Sequence, residues 1–221
     1  MARKWLGKAT VIVSAVAVVV LLCGCQKTRQ DAAVAVIGVA DESTAIEVPE
    51  AGADGARRVE KDFGTYEVPG GFVEDAVYSR QQTGKWFYVS QADEKKLAQS
   101  QNQFVNNISV NKGSCPYSAE EHGAFRRAIL SQLMMQMNFF ATRVANYEAG
   151  EVTGGGSFTD AGDILYTFTS NYKIDGIAET TTQHYIVGNQ QFILVHETAR
   201  GDSEETDRAA LHIAKSFRWA D

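Results

Sequence analysis

Few residues in this chain have the type and spacing to do chemistry, and the clearest are Leu22-Cys23-Gly24-Cys25. They close an apolar run and read as a lipobox, the motif within which a bacterial lipoprotein precursor is cut, just before its cysteine. A cut before Cys25 leaves its thiol to take a diacylglyceryl group and its new amine to take a further acyl chain, palmitate for example. The preceding residues fit a signal peptide: Arg3, Lys4 and Lys8 form a positive start, and Val11 to Leu22 an apolar stretch of the expected length. The apolar run from Ala9 to Leu22 is 14 residues, short of the roughly 20 that span a bilayer. No Ala-x-Ala site follows it. Gln26 stands where an aspartate would signal retention in the inner membrane, which favours the outer membrane in an organism that has two. Each buried methylene of an acyl chain contributes about 0.8 kcal/mol to anchoring, and two or more chains make it lasting.

The other candidates fall short of a site. His122, His184, His196 and His212 are the four histidines. His196-Glu197-Thr198-Ala199-Arg200 begins like the zinc-protease pattern, but Arg200 stands where the second histidine belongs, and the segment reads as a strand end. There is no Gly-x-Ser-x-Gly elbow. Cys115 is the one cysteine left in the expected mature chain, with no partner for a disulfide and no Cys/His cluster for zinc. Met134, Met135 and Met137 read as helix core rather than metal ligands. The aromatic run Trp86-Phe87-Tyr88 could stack on a sugar or a lipid, although one face of such a strand is normally core. The expectation is therefore no catalytic set, no cofactor and no metal, with Cys25 the single site residue, for lipidation.

Those residues need elements to place them. Residues 25–61 read as a flexible tether, with no aromatic residue from Gln26 to Lys61 and too little apolar mass to offset ordering entropy. The folded domain is expected over 62–221. Phe63 to Val68 reads as a strand stopped by Pro69-Gly70-Gly71. Phe72-Val73 and Ala76 to Tyr78 read as a second, short strand, Lys85 to Ser90 as a stronger one, and Asp93 to Gln103 as a surface loop or short helix. Asn107 to Asn111 alternates like a half-buried strand. Ser118 and Glu121 form a capping box. Phe125, Ile129, Leu133, Met137, Phe140, Val144 and Tyr147 then share one helical face, with Gly150 as the C′ residue. Glu151 to Ser157, with Gly154-Gly155-Gly156, reads as a flexible loop. A meander follows: Ile164 to Tyr172, a turn at Asp175-Gly176, Ile177 to Val187, a turn at Gly188-Asn189, and Gln190 to Thr198. A two-residue turn would pair 184 with 193 and 181 with 196. His184 then lies beside Ile186, Ile193 and Val195, and His196 on the opposite face with Tyr185, Phe192 and Leu194. An amphipathic helix from about Ser203 to Phe217 closes the chain.

Charge narrows the partners. The chain has 21 Lys+Arg and 27 Asp+Glu. Removing residues 1–24 takes Arg3, Lys4 and Lys8 but no acid, leaving 18 against 27, a net charge of −9 over 197 residues. An acidic surface of this kind argues against nucleic acid and gives no polybasic support to the anchor.

The order of elements, with three sequence marks, resembles the PsbP/DcrB-like superfamily. The marks are Val68-Pro-Gly-Gly-Phe72 opening the domain, Gln183-His-Tyr-Ile-Val187 with Phe192-Ile-Leu-Val195 at the sheet centre, and Ile213-Ala-Lys-Ser-Phe217 at the end. The resemblance covers roughly residues 62–219. It implies an α+β fold in which an antiparallel sheet is flanked by helices on both faces, an α/β/α sandwich. It also implies mostly non-enzymatic members, photosystem accessory proteins, Ran-binding factors and envelope lipoproteins among them, with no shared catalytic set to carry over. The reading that follows is a lipid-anchored protein of a bacterial cell membrane or outer membrane, facing the periplasm in an organism that has one. It would be a non-catalytic accessory module whose partners are the membrane, through its anchor, and another envelope protein. The alternatives are a cell-wall-directed enzyme with an unrecognised site and a solute-binding lipoprotein of a transporter.

Overall fold

The structure is a computed structural model that describes residues 55–99, 104–201 and 203–220. The expected signal segment, Cys25 and most of the expected tether lie outside the described residues. The chain runs β1 (Arg57–Lys61), β2 (Gly64–Val68), β3 (Phe72–Glu74), α1 (Ala76–Gln81), β4 (Lys85–Ser90), α2 (Gln91–Gln99) and β5 (Asn107–Ser114). Then come α3 (His122–Arg143), β6 (Tyr147–Phe158), β7 (Ile164–Ile174), β8 (Ile177–Val187), β9 (Gln191–Arg200), α4 (Glu204–Ser216) and the short β10 (Arg218–Trp219). Seven strands make an antiparallel sheet in the order β3-β4-β5-β9-β8-β7-β6, and β1-β2-β10 make a small second sheet.

Strand alternation divides the core in two, because successive side chains point to opposite faces. On one face Ile108, Val110, Leu165, Ile186, Ile193 and Val195 pack under α4, through Ala209, Ala210, Ile213 and Ala214, and under the small sheet, through Tyr66 and Val68. The hydroxyls of Tyr66 and Tyr88 meet at 2.7 Å and tie the two sheets together. Burial, the largest effect, holds both phenols protonated, pushing that of Tyr88 up to about 12. On the other face Tyr166, Phe168, Tyr185, Phe192 and Leu194 pack against Phe125, Ile129 and Leu133 of α3. The large sheet thus carries helices on both faces, the α+β sandwich read from the sequence. The capping box at the start of α3 forms, with the Ser118 amide donating to Glu121 Oε2 at 3.1 Å.

Several local readings change. β1, the first strand among the described residues, falls at residues 57–61, inside the stretch read as tether. It pairs along its whole length with β2, which supplies the backbone partners its sparse apolar content does not. Ala76 to Tyr78 is helix rather than strand because Asp75 caps it, Oδ1 accepting from the amides of Val77 and Tyr78 at 3.0 Å. The long helix ends at Arg143, not Gly150. Asn146 takes a left-handed φ of 57°, and its side-chain amide donates to Asp175 Oδ1 at 2.6 Å. Tyr147 then opens a strand, yet its ring still lies 6.0 Å from that of Phe140, so one spatial neighbourhood passed for one helical face.

The expected loop at 151–157 is also strand. Gly154, Gly155 and Gly156 pair with Phe168, Thr167 and Tyr166 of β7. A Cβ on Gly154 would sit 2.7 Å from the Phe168 ring, and one on Gly156 3.2 Å from Tyr166. The rings occupy the space that side chains would need, so glycine marks close packing here, not freedom. The β8–β9 turn is longer than expected, pairing Val187 with Phe192 and His184 with Val195. That shift is two residues, so each side chain keeps the face read from the sequence.

Candidate functional site

The sequence's chemical candidates are dispersed. His184 is buried under α4, with Nδ1 2.8 Å from Thr167 Oγ1 and Nε2 without a hydrogen-bond partner. His196 is buried on the opposite face, beside Ser109 and Gln183 on the adjoining strands. Desolvation pushes both imidazoles down to about 4. The Asp207 carboxylate opposes the shift at His184, and the Lys85 ammonium adds to it at His196. His122 Nδ1 lies 2.7 Å from the Tyr166 hydroxyl, and His212 Nε2 lies 3.6 Å from Glu67 Oε2. Cys115 is half-buried against the α3 core, its thiol 3.7 Å from the Tyr117 carbonyl. Trp86 is lodged between Phe63, centroids 5.3 Å apart, and Lys61, whose Nζ lies 4.5 Å over its ring. Met135 is exposed and Met137 half-buried on α3. Among the described residues no three His, Cys, Asp or Glu side chains are placed to hold a metal, and no helix is long and apolar enough to cross a membrane.

Glu197 is the residue whose significance the sequence hid. It is 1% exposed and faces α4. Burial, then the neighbouring Asp207, pushes its pKa up to about 9, so at neutral pH it is a carboxylic acid with the Asp207 carboxylate as its natural acceptor. Asp207 is held from α4 by Ser203, whose hydroxyl donates to Oδ2 at 2.8 Å. The zinc-protease-like reading of 196–200 had already set Glu197 aside, and alternation along β9 places it on the face opposite His196.

The surface feature best suited to a partner lies beside this buried pair. A groove of about 680 Å³ runs between the end of β4 and α2 (Ser90, Asp93, Lys96), residues 104–106, Arg200, and the first turns of α4 (Glu204, Glu205, Thr206, Arg208). Its walls are fixed by local bonds. Ser90 and Asp93 bond reciprocally at 3.1 Å, and Asp93 Oδ1 accepts from Lys96 Nζ at 2.6 Å. Arg200 donates its amide to Asn106 Oδ1 at 2.9 Å, lays its guanidinium 4.3 Å from the Phe104 ring centroid, and pairs with Glu179. Glu204 and Glu205 sit in the first turn of α4, where the helix dipole favours acids. Three acids (Asp93, Glu204, Glu205) and three bases (Lys96, Arg200, Arg208) line the groove, Lys96 pairing with Asp93 and Arg208 with Glu204.

No protein-family model matches the chain, and no curated protein matches its sequence. The chain is similar to several solved structures. One is cyanobacterial PsbP (CyanoP) from Synechocystis sp. PCC 6803, at 13% identity and a TM-score of 0.47, covering 75% of this chain and 92% of that one. Another is the Saccharomyces cerevisiae Ran-binding protein Mog1p, at 15% identity and 0.43, covering 75% and 96%. A third is LpqN, involved in cell envelope biogenesis of Mycobacterium tuberculosis, at 15% identity and 0.44, covering 75% and 91%.

Proposed function

We propose that this chain is a non-catalytic binding module, held on a bacterial cell membrane or outer membrane by acyl chains on Cys25, and that it docks another envelope protein in the groove between α2 and α4. The mixed lining of that groove, three acids and three bases, carries the reading. A nucleic acid or other polyanion asks for a field of one sign. Charges of both signs, with Arg200 lying on Phe104 and Asp93 bonded to Ser90, match the mixed charge of a polypeptide surface. The lipobox supports the placement, because an anchored domain meets its partners at the membrane surface.

Crosslinking in intact cells followed by pull-down tests this reading when it is paired with a charge reversal. The wild-type chain is expected to recover one envelope protein in stoichiometric amount. The double variant Lys96→Glu with Glu205→Lys is expected to lose about tenfold or more of that recovery while still melting cooperatively, the lost Asp93–Lys96 pair and the reversed charge at the start of α4 each costing about 1 kcal/mol or less. Equal recovery by both chains would refute the groove as the docking site.

A cell-wall-directed enzyme is the second reading, and the Glu197–Asp207 pair favours it, since two neighbouring carboxyl groups, one of them held protonated, are what glycoside hydrolysis uses. Access weighs on the other side: Glu197 lies under α4 with 1% of its surface exposed, out of reach of a glycosidic oxygen in this structure.

A further inference from the structure

Among the described residues β6 is the outer strand of the seven-stranded sheet, twelve residues long, while the opposite edge strand, β3, has three. A long open edge presents unpaired amides and carbonyls to any other strand, and proteins usually block one with charge, proline or a bulge. The first half of β6 is blocked in this way. Its register against β7 jumps between Ala149 and Val152, and Glu148 and Glu151 stand there, Glu148 3.5 Å from Lys173. The second half, Val152-Thr153-Gly154-Gly155-Gly156-Ser157-Phe158, has no charge, no proline and no bulge. Phe158 is 62% exposed.

That heptad is a chemical palindrome about Gly155: apolar, hydroxyl, glycine, glycine, glycine, hydroxyl, apolar. We propose that the outer edge of β6 from Val152 to Phe158 is an interface for a second copy of this chain, the two strands running antiparallel about a two-fold axis at Gly155. An isologous interface must match itself, each residue meeting its counterpart on the other side. In this register Val152 meets the other copy's Phe158, Thr153 its Ser157, and Gly154 its Gly156. Exposed Phe158 gains an apolar neighbour, and the hydroxyls face each other across the strands. Glu151 falls opposite Thr159 and Glu148 opposite Gly162, so no two acids are apposed despite the acidic surface.

The backbone fits the same register. Thr159 turns both its amide and its carbonyl inward, bonding Asp163 and Gly162, so by alternation Val152, Gly154, Gly156 and Phe158 turn theirs outward. Those are the residues that bond across a two-fold at Gly155. The Phe158 carbonyl already accepts from Lys215 Nζ at 2.7 Å and would be shared. Gly154 and Gly156 are backed by the Phe168 and Tyr166 rings, while a Cβ on Gly155 would meet nothing within 4 Å.

That open space allows a test that spares the fold. Sedimentation equilibrium of the full-length chain in neutral detergent is expected to give a protein mass approaching twice that of one chain at high loading. Gly155→Asp sets two carboxylates face to face on the axis, and is expected to keep the circular dichroism spectrum while weakening association about tenfold or more. Mixing Gly155→Asp with Gly155→Lys is expected to restore the two-chain mass. Hydrogen exchange of the wild-type chain reads the same contact without a variant: the amides of Gly154 and Gly156 should slow as concentration rises. A single-chain mass at every loading, a Gly155→Asp chain that pairs as well as the wild type, or exchange at Gly154 and Gly156 that ignores concentration would each overturn the proposal.

Discussion

Leu133→Asp is expected to leave no cooperative melt, whereas Met135→Asp, two residues along the same helix, should melt as the wild type does. Leu133 is 5% exposed and Met135 62%. Leu133 packs with Phe125 and Ile129 on the aromatic face of the sheet. Truncating such a leucine costs about 2–5 kcal/mol, and an unpaired carboxylate in its place adds the cost of burying a charge. Together these reach the whole of a typical domain's stability, about 5–15 kcal/mol. A surface substitution such as that at Met135 stays within about 0.5 kcal/mol. Thermal melts followed by circular dichroism on the two variants check this. Equal melting of both would contradict the docking of α3 on the sheet.

The second large effect is a stability maximum near pH 6.5. Between pH 4 and 6.5 the unfolded chain takes up protons on His184 and His196 that the folded chain refuses, their folded pKa values being pushed down to about 4 from 6.5. Stability due to the histidines therefore rises with pH over that window. Glu197 acts with the opposite sign. Its folded pKa is raised from 4.5 to about 9, so from pH 4.5 to 9 the folded chain holds a proton that the unfolded chain has lost, and stability falls as pH rises. From 4.5 to 6.5 two rising contributions outweigh one falling, and above 6.5 the falling one acts alone, at about 1.4 kcal/mol per pH unit. Glu197→Gln keeps the shape and removes the titration, so its urea-unfolding stability should level off between pH 6.5 and 9 while the wild type's declines. Parallel curves for the two chains would show that Glu197 does not stay protonated under α4.

The same two regions show where the sequence could be read and where it could not. The meander and both long helices follow from periodicity, because their burial is one-sided. Even the misjudged turn at Gly188–Gln190 left Ile186, Ile193 and Val195 on one face and Tyr185, Phe192 and Leu194 on the other, since a slip of two residues preserves parity. Periodicity failed where tertiary contact replaced local pattern. Tyr147 continues the spacing of α3 although it belongs to a strand, and Gly154 to Gly156 have no side chains to show that Phe168 and Tyr166 pack over them. Asp75 needed its cap geometry to turn Ala76–Gln81 from strand into helix. The groove was not legible at all. Asp93 and Asn106 lie far along the chain from Arg200 and Glu205, all four are ordinary in type, and only the strand order brings the two stretches to one rim. Glu197 was legible as to face and not as to charge state, because its pKa depends on what α4 lays over it.

The central claim is that a folded binding module is tied to a membrane through Cys25, and mass spectrometry of the native protein's first peptide tests it most directly. The account predicts a mature chain that begins at Cys25, bears a diacylglyceryl group on its sulfur, and pellets with the membrane fraction until Cys25 is replaced by serine. A chain that starts elsewhere, or a Cys25 with a bare thiol in the soluble fraction, would contradict it.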